Sequence, residues 1–246
     1  MYLLIIFKHN LKSIYKMKNY LLTLLLLLSF SLSAQDQIVW NQAGVVANNG
    51  YGADLAQTMD DFYGSIEMPE GASVSLVQVY HSGLGHEPTH YINYAGTVDG
   101  LVALRQLRSG SEYNAYVNEF SKYGKTISNT HGRTFMRFNT DDSDDPIAQV
   151  WEWRVEDQAA FVKAFSELIE TFKPDGYMSL GGMFGGISTE GESHYVYVTH
   201  DDYKSMLEWG PKTPKELAAF EKFIKTVDAF SEFKGTYSVW TVNTWN

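Results

Sequence analysis

The feature that most constrains this chain is a repeat. Thr89–Tyr94 (THYINY) lies on Ser193–Val198 (SHYVYV) at a shift of 104 residues, and Glu112, Ala115 and Tyr116 lie on Glu216, Ala219 and Phe220. Continued, the same shift lays Thr134–Phe138 on Ser238–Val242. A period this long is not that of a solenoid, whose units run to about 20–50 residues. It is a duplicated unit, and what one copy folds into the other must also fold into.

The second copy is the easier to read. Ala148–Val155 (AQVWEWRV) has strand composition. Asp157–Phe172 carries apolar residues at Ala160, Phe161, Ala164, Phe165, Leu168, Ile169 and Phe172, the stripe of an amphipathic helix. Tyr177–Phe184 and Ser193–Val198 are strands. Thr213-Pro214 opens a helix over Lys215–Phe233, with a capping hydroxyl followed by a proline in the first turn. Thr236–Val242 is the last strand. The first copy follows suit: strand Ile38–Val46, helix Ala53–Ser65, strands Val74–His81 and Thr89–Tyr94, helix Ser111–Lys125 and strand Arg133–Phe138. The order in each copy is β-α-β-β-α-β, giving repeats over 35–140 and 148–246. The acidic, proline-ended segment 141–147 joins them.

Residues 1–34 read as an export signal. Lys16 and Lys18 precede an apolar run over 20–30, and small residues lead to Ala34. The run is shorter than the roughly 20 residues a membrane span requires. Met17 gives a more usual short basic head than Met1. The expected destination is periplasmic or extracellular, with no membrane attachment after cleavage.

Composition narrows the chemistry. With no cysteine there are no disulfides, thiolate nucleophiles or Cys-ligated metals. Residues 1–34 carry four lysines and no acid, so the remainder holds 15 basic and 29 acidic residues. That surface repels phosphate backbones and argues against a nucleic-acid partner. Aromatic residues make up 15% of the chain, which suits a large core and a pocket for a small apolar or aromatic molecule.

A β-α-β-β-α-β unit is the ferredoxin-like split βαβ, whose helices cover one sheet face. Here the strands are apolar on both faces, as in Val150, Trp151 and Trp153, or Tyr195–Val198. The bare faces need each other. On this order and repeat, the chain resembles the dimeric α/β-barrel superfamily, with its antibiotic-biosynthesis-monooxygenase-like, EthD-like and NIPSNAP-like families. The resemblance covers nearly all of residues 38–243. It implies an α+β fold of two tandem repeats packed sheet to sheet as a pseudo-dimeric barrel, with a pocket between each sheet and its helices. It also implies an activity range from cofactor-independent oxygenases and isomerases to proteins without known activity. Duplicated relatives such as chlorite dismutases and dye-decolourising peroxidases hold haem; the GxxDG motif of the peroxidases is absent from this sequence.

Several residues are candidates for chemistry. His81, His86 and His90 lie within ten residues and could hold a divalent metal, although their spacing fits no standard motif. His90 and His194 occupy the same place in the two copies. They are either acid–base or haem-ligating histidines, or structural residues inherited from before the duplication. Arg133 and Arg137 are expected to share a strand face and could hold an oxyanion, with Tyr237 and Thr241 in their places in the second copy. Trp151, Trp153, Tyr91 and Tyr195 are candidate ligand-contacting aromatics. Alternation sets Glu152 and Arg154 on the face opposite the two tryptophans. The functional expectations are an oxygenase-like or isomerase-like enzyme needing no cofactor, a non-catalytic carrier of a small molecule, or a haem or metal protein using His81, His90 or His194. A duplicated chain is its own pseudo-dimer and is expected to be a monomer or a homodimer.

Overall fold

Eight antiparallel strands close on themselves in the order β1-β3-β2-β8-β5-β7-β6-β4 in the computed structural model of the protein. The structure describes residues 37–188 and 190–246, and Ile38–Asn246 forms one compact unit. The proposed export signal lies outside the described residues.

The first repeat contributes β1 (Val39–Ala47), α1 (Gly52–Tyr63), β2 (Ala72–Ser82), β3 (His90–Gly96), α2 (Val98–Leu107), α3 (Gly110–Tyr123) and β4 (Gly124–Phe138). A short 3-10 turn at Thr140–Asp142 follows. The second repeat contributes β5 (Ile147–Val155), α4 (Gln158–Thr171), β6 (Met178–Gly185), β7 (His194–His200), α5 (Tyr203–Leu207), α6 (Pro214–Val227) and β8 (Ser231–Trp245). Within each repeat the strands pair in the order fourth, first, third, second. Pairing of β2 with β8 and of β4 with β6 joins the two sheets edge to edge. Closure leaves no unpaired strand edge in the barrel.

Local signals account for most boundaries. Asp157 caps α4 by accepting from the Ala160 amide at 2.9 Å. Thr213 and Glu216 form a full capping box on α6, with Pro214 in its first turn. The repeat shift of 104 holds from β3 and β7 through α3 and α6. It then changes: α3 runs straight into β4 at Gly124, whereas Asp228–Phe230 intervene between α6 and β8. Equivalent pairings set Ala47 against Gly124 and Val155 against Ser231. The structural counterparts of Arg133 and Arg137 are therefore Trp240 and Thr244, not Tyr237 and Thr241. The expected helix over 215–233 ends at Val227 for the same reason.

Side chains sort into three layers. Under α1 and α3, Val45, Leu55, Met59, Phe62, Tyr63 and Phe120 anchor one core. Under α4 and α6, Trp153, Phe161, Phe165, Leu180, Val198 and Phe223 anchor another. The lumen is filled by Val77, Tyr91, Val150, Tyr195, Tyr237 and Val239. An eight-stranded barrel is just wide enough to be filled this way. Side-chain contacts also tie the repeats together. The Trp40 indole N–H donates to Tyr195 Oη at 2.9 Å across the lumen. Asp60 of α1 accepts from the Trp245 indole and the Asn243 amide of the last strand, both at 3.1 Å.

Candidate functional site

The two repeats differ in what lies between sheet and helices. In the second, the space beside α5 is filled by Trp209, packed on Trp151, Phe172 and Phe220. In the first, a cavity of about 620 Å³ opens between the sheet and α2.

Helix α2 makes this cleft. Thr97 caps it, accepting from the Gly100 amide at 3.0 Å. A side chain at Gly100 would run into the Gly71 carbonyl, so only glycine lets the helix start sit this close. Its buried residues are Gly100 and Leu104 alone, while Val98 and Val102 remain 60% and 54% exposed. A helix held at two points stands off the sheet and leaves an apolar wall facing a floor of Asn41, Asn129 and Tyr94. Between Tyr94 and Ser111 the sequence pattern predicts no element, so this wall is not legible there. The equivalent helix of the second repeat, α5, is one turn long.

At the C-terminal end of α2, Arg108 lies over the Tyr94 ring at 4.1 Å and donates from Nη2 to Tyr113 Oη at 3.0 Å. Tyr63 Oη donates to Tyr94 Oη at 3.3 Å. Burial pushes the Tyr63, Tyr94 and Tyr116 phenols up, so these rings stay neutral. Burial alone would pull the Arg108 guanidinium down, but the surrounding phenols of Tyr94, Tyr63 and Tyr113 outweigh it and the net direction is upward. Arg108 is a fixed cation in an aromatic nest.

None of the residues singled out in the sequence lines this cleft. His81 Nδ1 bonds Ser238 Oγ at 2.8 Å, and its ring lies near Tyr203. His86 Nε2 meets Tyr91 Oη at 3.2 Å, with its ring 4.9 Å from that of Tyr237. His90 is buried at the start of β3. Among the described residues, no three His, Cys, Asp or Glu side chains are grouped to hold a metal, so His81, His86 and His90, close in sequence, are not gathered into a metal set. They sit on a strand, a loop and the next strand, and they point to different layers.

His90 and His194 are equivalent in detail. Their Nδ1 atoms meet Thr89 Oγ1 at 2.9 Å and Ser193 Oγ at 3.0 Å. Each hydroxyl also accepts from a first-strand amide, Ala47 or Val155. The same arrangement recurs in both copies, with the hydroxyls clamping the third strand to the first. Burial lowers both imidazoles, His194 to about 4, so both are neutral at pH 7. His194 Nε2 is buried without a partner, facing the Phe135 and Phe161 rings. Haem ligation would need that nitrogen to face a slot wide enough for a macrocycle. Packed aromatic rings occupy the space, so the residues as folded do not fit haem there.

Arg133 and Arg137 do not share a face. A β-bulge between Thr134 and Met136 sets Arg133 opposite Gly182 and Arg137 opposite Ser179, strand neighbours of opposite parity. Arg133 stacks on Phe184 at 4.7 Å on the outside of the barrel. Trp151 packs on Trp209, and Trp153 on Phe161 and Phe233, so both are core residues rather than pocket lining. Tyr91 and Tyr195 face the lumen. Glu152 also faces the lumen, as strand alternation requires, and it interacts with Tyr91 and Tyr237. Burial, then the charge of Glu192, pushes its carboxyl up to about 7.

No family model and no curated protein matches the chain. Solved structures do. An anthrone oxidase-like protein superposes with a TM-score of 0.56 at 11% identity, covering 86% of this chain and 93% of the other. The fold is the dimeric α/β barrel. A candidate monooxygenase of Fusobacterium nucleatum gives a TM-score of 0.57 at 11% identity over 85% of this barrel and 94% of its own chain. One from Lactobacillus acidophilus gives 0.53 at 16% identity over 85% and 95%. At such identities the likeness establishes the shared barrel and leaves the chemistry to the residues of this chain.

Proposed function

We propose that this is an exported barrel protein that takes up a small apolar or aromatic molecule in the cleft beneath α2 and turns it over in an oxygenase-like reaction without a bound cofactor. The observation that carries the reading is the asymmetry between repeats: about 620 Å³ is open beneath α2 in the first, while Trp209 packs on Trp151, Phe172 and Phe220 at the equivalent place in the second. Its volume falls within the roughly 300–1,000 Å³ of small-molecule sites. Leu101 and Val102 offer the apolar wall, and Asn41 and Asn129 offer orienting hydrogen bonds. Fold likeness to candidate monooxygenases and to an anthrone oxidase-like protein supports the reaction class. The single closed chain supplies both halves of the barrel, which supports action as a monomer.

The test is dioxygen uptake by the mature protein with hydroxyaromatic and quinol substrates, beside Leu101→Trp, which fills the cleft. Uptake by the wild type that falls at least about tenfold in the variant is the expected result. Absence of both uptake and aromatic binding would overturn the proposal. A second reading is favoured by a specific observation. The cleft lining holds no carboxylate, and His131, its one imidazole, is exposed with Nε2 packed toward Gly185. A site so poor in proton-transfer groups suits a carrier, for which binding persists without turnover.

A further inference from the structure

We propose that the molecule held beneath α2 is a carboxylate, and that Arg108, aided by Arg105, determines this specificity. The inference rests on the cleft being the ligand site.

In a chain of net charge −10, the cleft lining contains Arg105 and Arg108 and no acidic residue. Neither Arg105 nor Arg108 enters an ion pair among the described residues. A guanidinium has five N–H donors. The hydrogen bond Arg108 makes comes from Nη2, and its Nε lies buried without an acceptor. A cation withdrawn from water normally brings its counter-charge with it. Arg108 has the negative end of the α2 dipole and two neutral phenols, Tyr94 beneath it and Tyr113 beside it, but no carboxylate. What is missing is an acceptor with negative charge.

The surroundings select its kind. A planar guanidinium matches a two-oxygen planar anion. Arg108 caps the C-terminal end of α2, where the helix dipole is negative and disfavours a doubly charged phosphate more than a monoanion. Leu101, Val102 and the Tyr94 ring beside it suit an apolar or aromatic body. Arg105 stands one helical turn before Arg108 and is exposed, at the cleft where an anion would enter.

The experiment is calorimetric titration of the full mature chain with 2-naphthoate and its neutral isostere 2-naphthamide, in wild type, Arg108→Gln, Arg108→Lys and Arg105→Gln. Wild type should prefer naphthoate at least about tenfold, as expected for a charge-assisted hydrogen bond in a partly buried site. Arg108→Gln should reduce that preference to below about twofold, Arg108→Lys should keep part of it, and Arg105→Gln should lessen it. Should Arg108→Gln fail to fold, the wild-type protein still decides: added salt must weaken naphthoate and leave naphthamide unchanged. Equal affinity for the two probes, or a preference untouched by Arg108→Gln and by salt, overturns the carboxylate specificity while leaving the cleft as a ligand site. Binding of neither probe removes the cleft reading and this inference with it.

Discussion

Glu152→Gln is the most informative single change, because it separates one lumen carboxyl from every other titrating group. Glu152 projects from β5 between Tyr91 of β3 and Tyr237 of β8, with Glu192 from the β6–β7 connection nearby and His86 above the two phenols. Its carboxyl titrates at about 7 in the fold against an ordinary value of 4.5. The folded protein thus holds this proton more tightly than the unfolded chain does. Its stabilising effect is complete below pH 4.5, is lost as pH rises to 7, and is constant above that. At roughly 1.4 kcal/mol per pH unit the loss approaches about 3 kcal/mol, and the residual solvent contact of Glu152 brings it down to about 1–2 kcal/mol. The wild-type curve alone cannot reveal this. Burial lowers His86, His90, His194 and His200, and each of these costs stability in the opposite direction, as pH falls below 6.5. The difference between variant and wild type cancels the histidines. Urea denaturation at pH 5, 6, 7 and 8 should show the stability of Glu152→Gln relative to wild type rising by about 1–2 kcal/mol across the series. A difference that is flat with pH, or that falls, refutes the placement of an ionisable carboxyl in a low-dielectric lumen.

Two further outcomes follow from the same packing. His194, held down to about 4, should make His194→Phe more resistant to acid: a phenyl ring suits the Phe135–Phe161 surroundings and has no proton to take up between pH 6.5 and 4. An acid-denaturation midpoint that does not move to lower pH would count against it. Tyr195→Phe deprives the half-buried Trp40 indole N–H of its acceptor and should cost about 1–2 kcal/mol by chemical denaturation, partly recovered in the double variant with Trp40→Phe. A loss below about 0.5 kcal/mol would mean that this link between the repeats is not under load.

The chain alone determined the repeat, the order β-α-β-β-α-β in each copy and, from strands apolar on both faces, the need for the two sheets to meet. These are local properties: helical stripes, capping residues such as Thr213 and Glu216, and strand alternation are set by neighbours within a few positions. Alternation also placed Glu152 opposite Trp151 and Trp153. Polar Thr126–Gly132 shows the limit, since no element is read there, nor a strand at Gly124 and Lys125, which read as helix end, and all of it joins a 15-residue strand because β1 lies beside it. Tertiary structure decided the rest. A bulge sent Arg133 and Arg137 to opposite faces, and three inserted residues shifted the register of β8. Folding set His90 and His194 against the Thr89 and Ser193 hydroxyls that clamp each third strand to the first. The cleft required a weakly anchored helix, an arginine without an acid and phenols from α1, α3 and β3. Desolvation and missing counter-charges depend on residues up to a hundred positions apart, so they belong to the closed barrel and not to any stretch of its sequence.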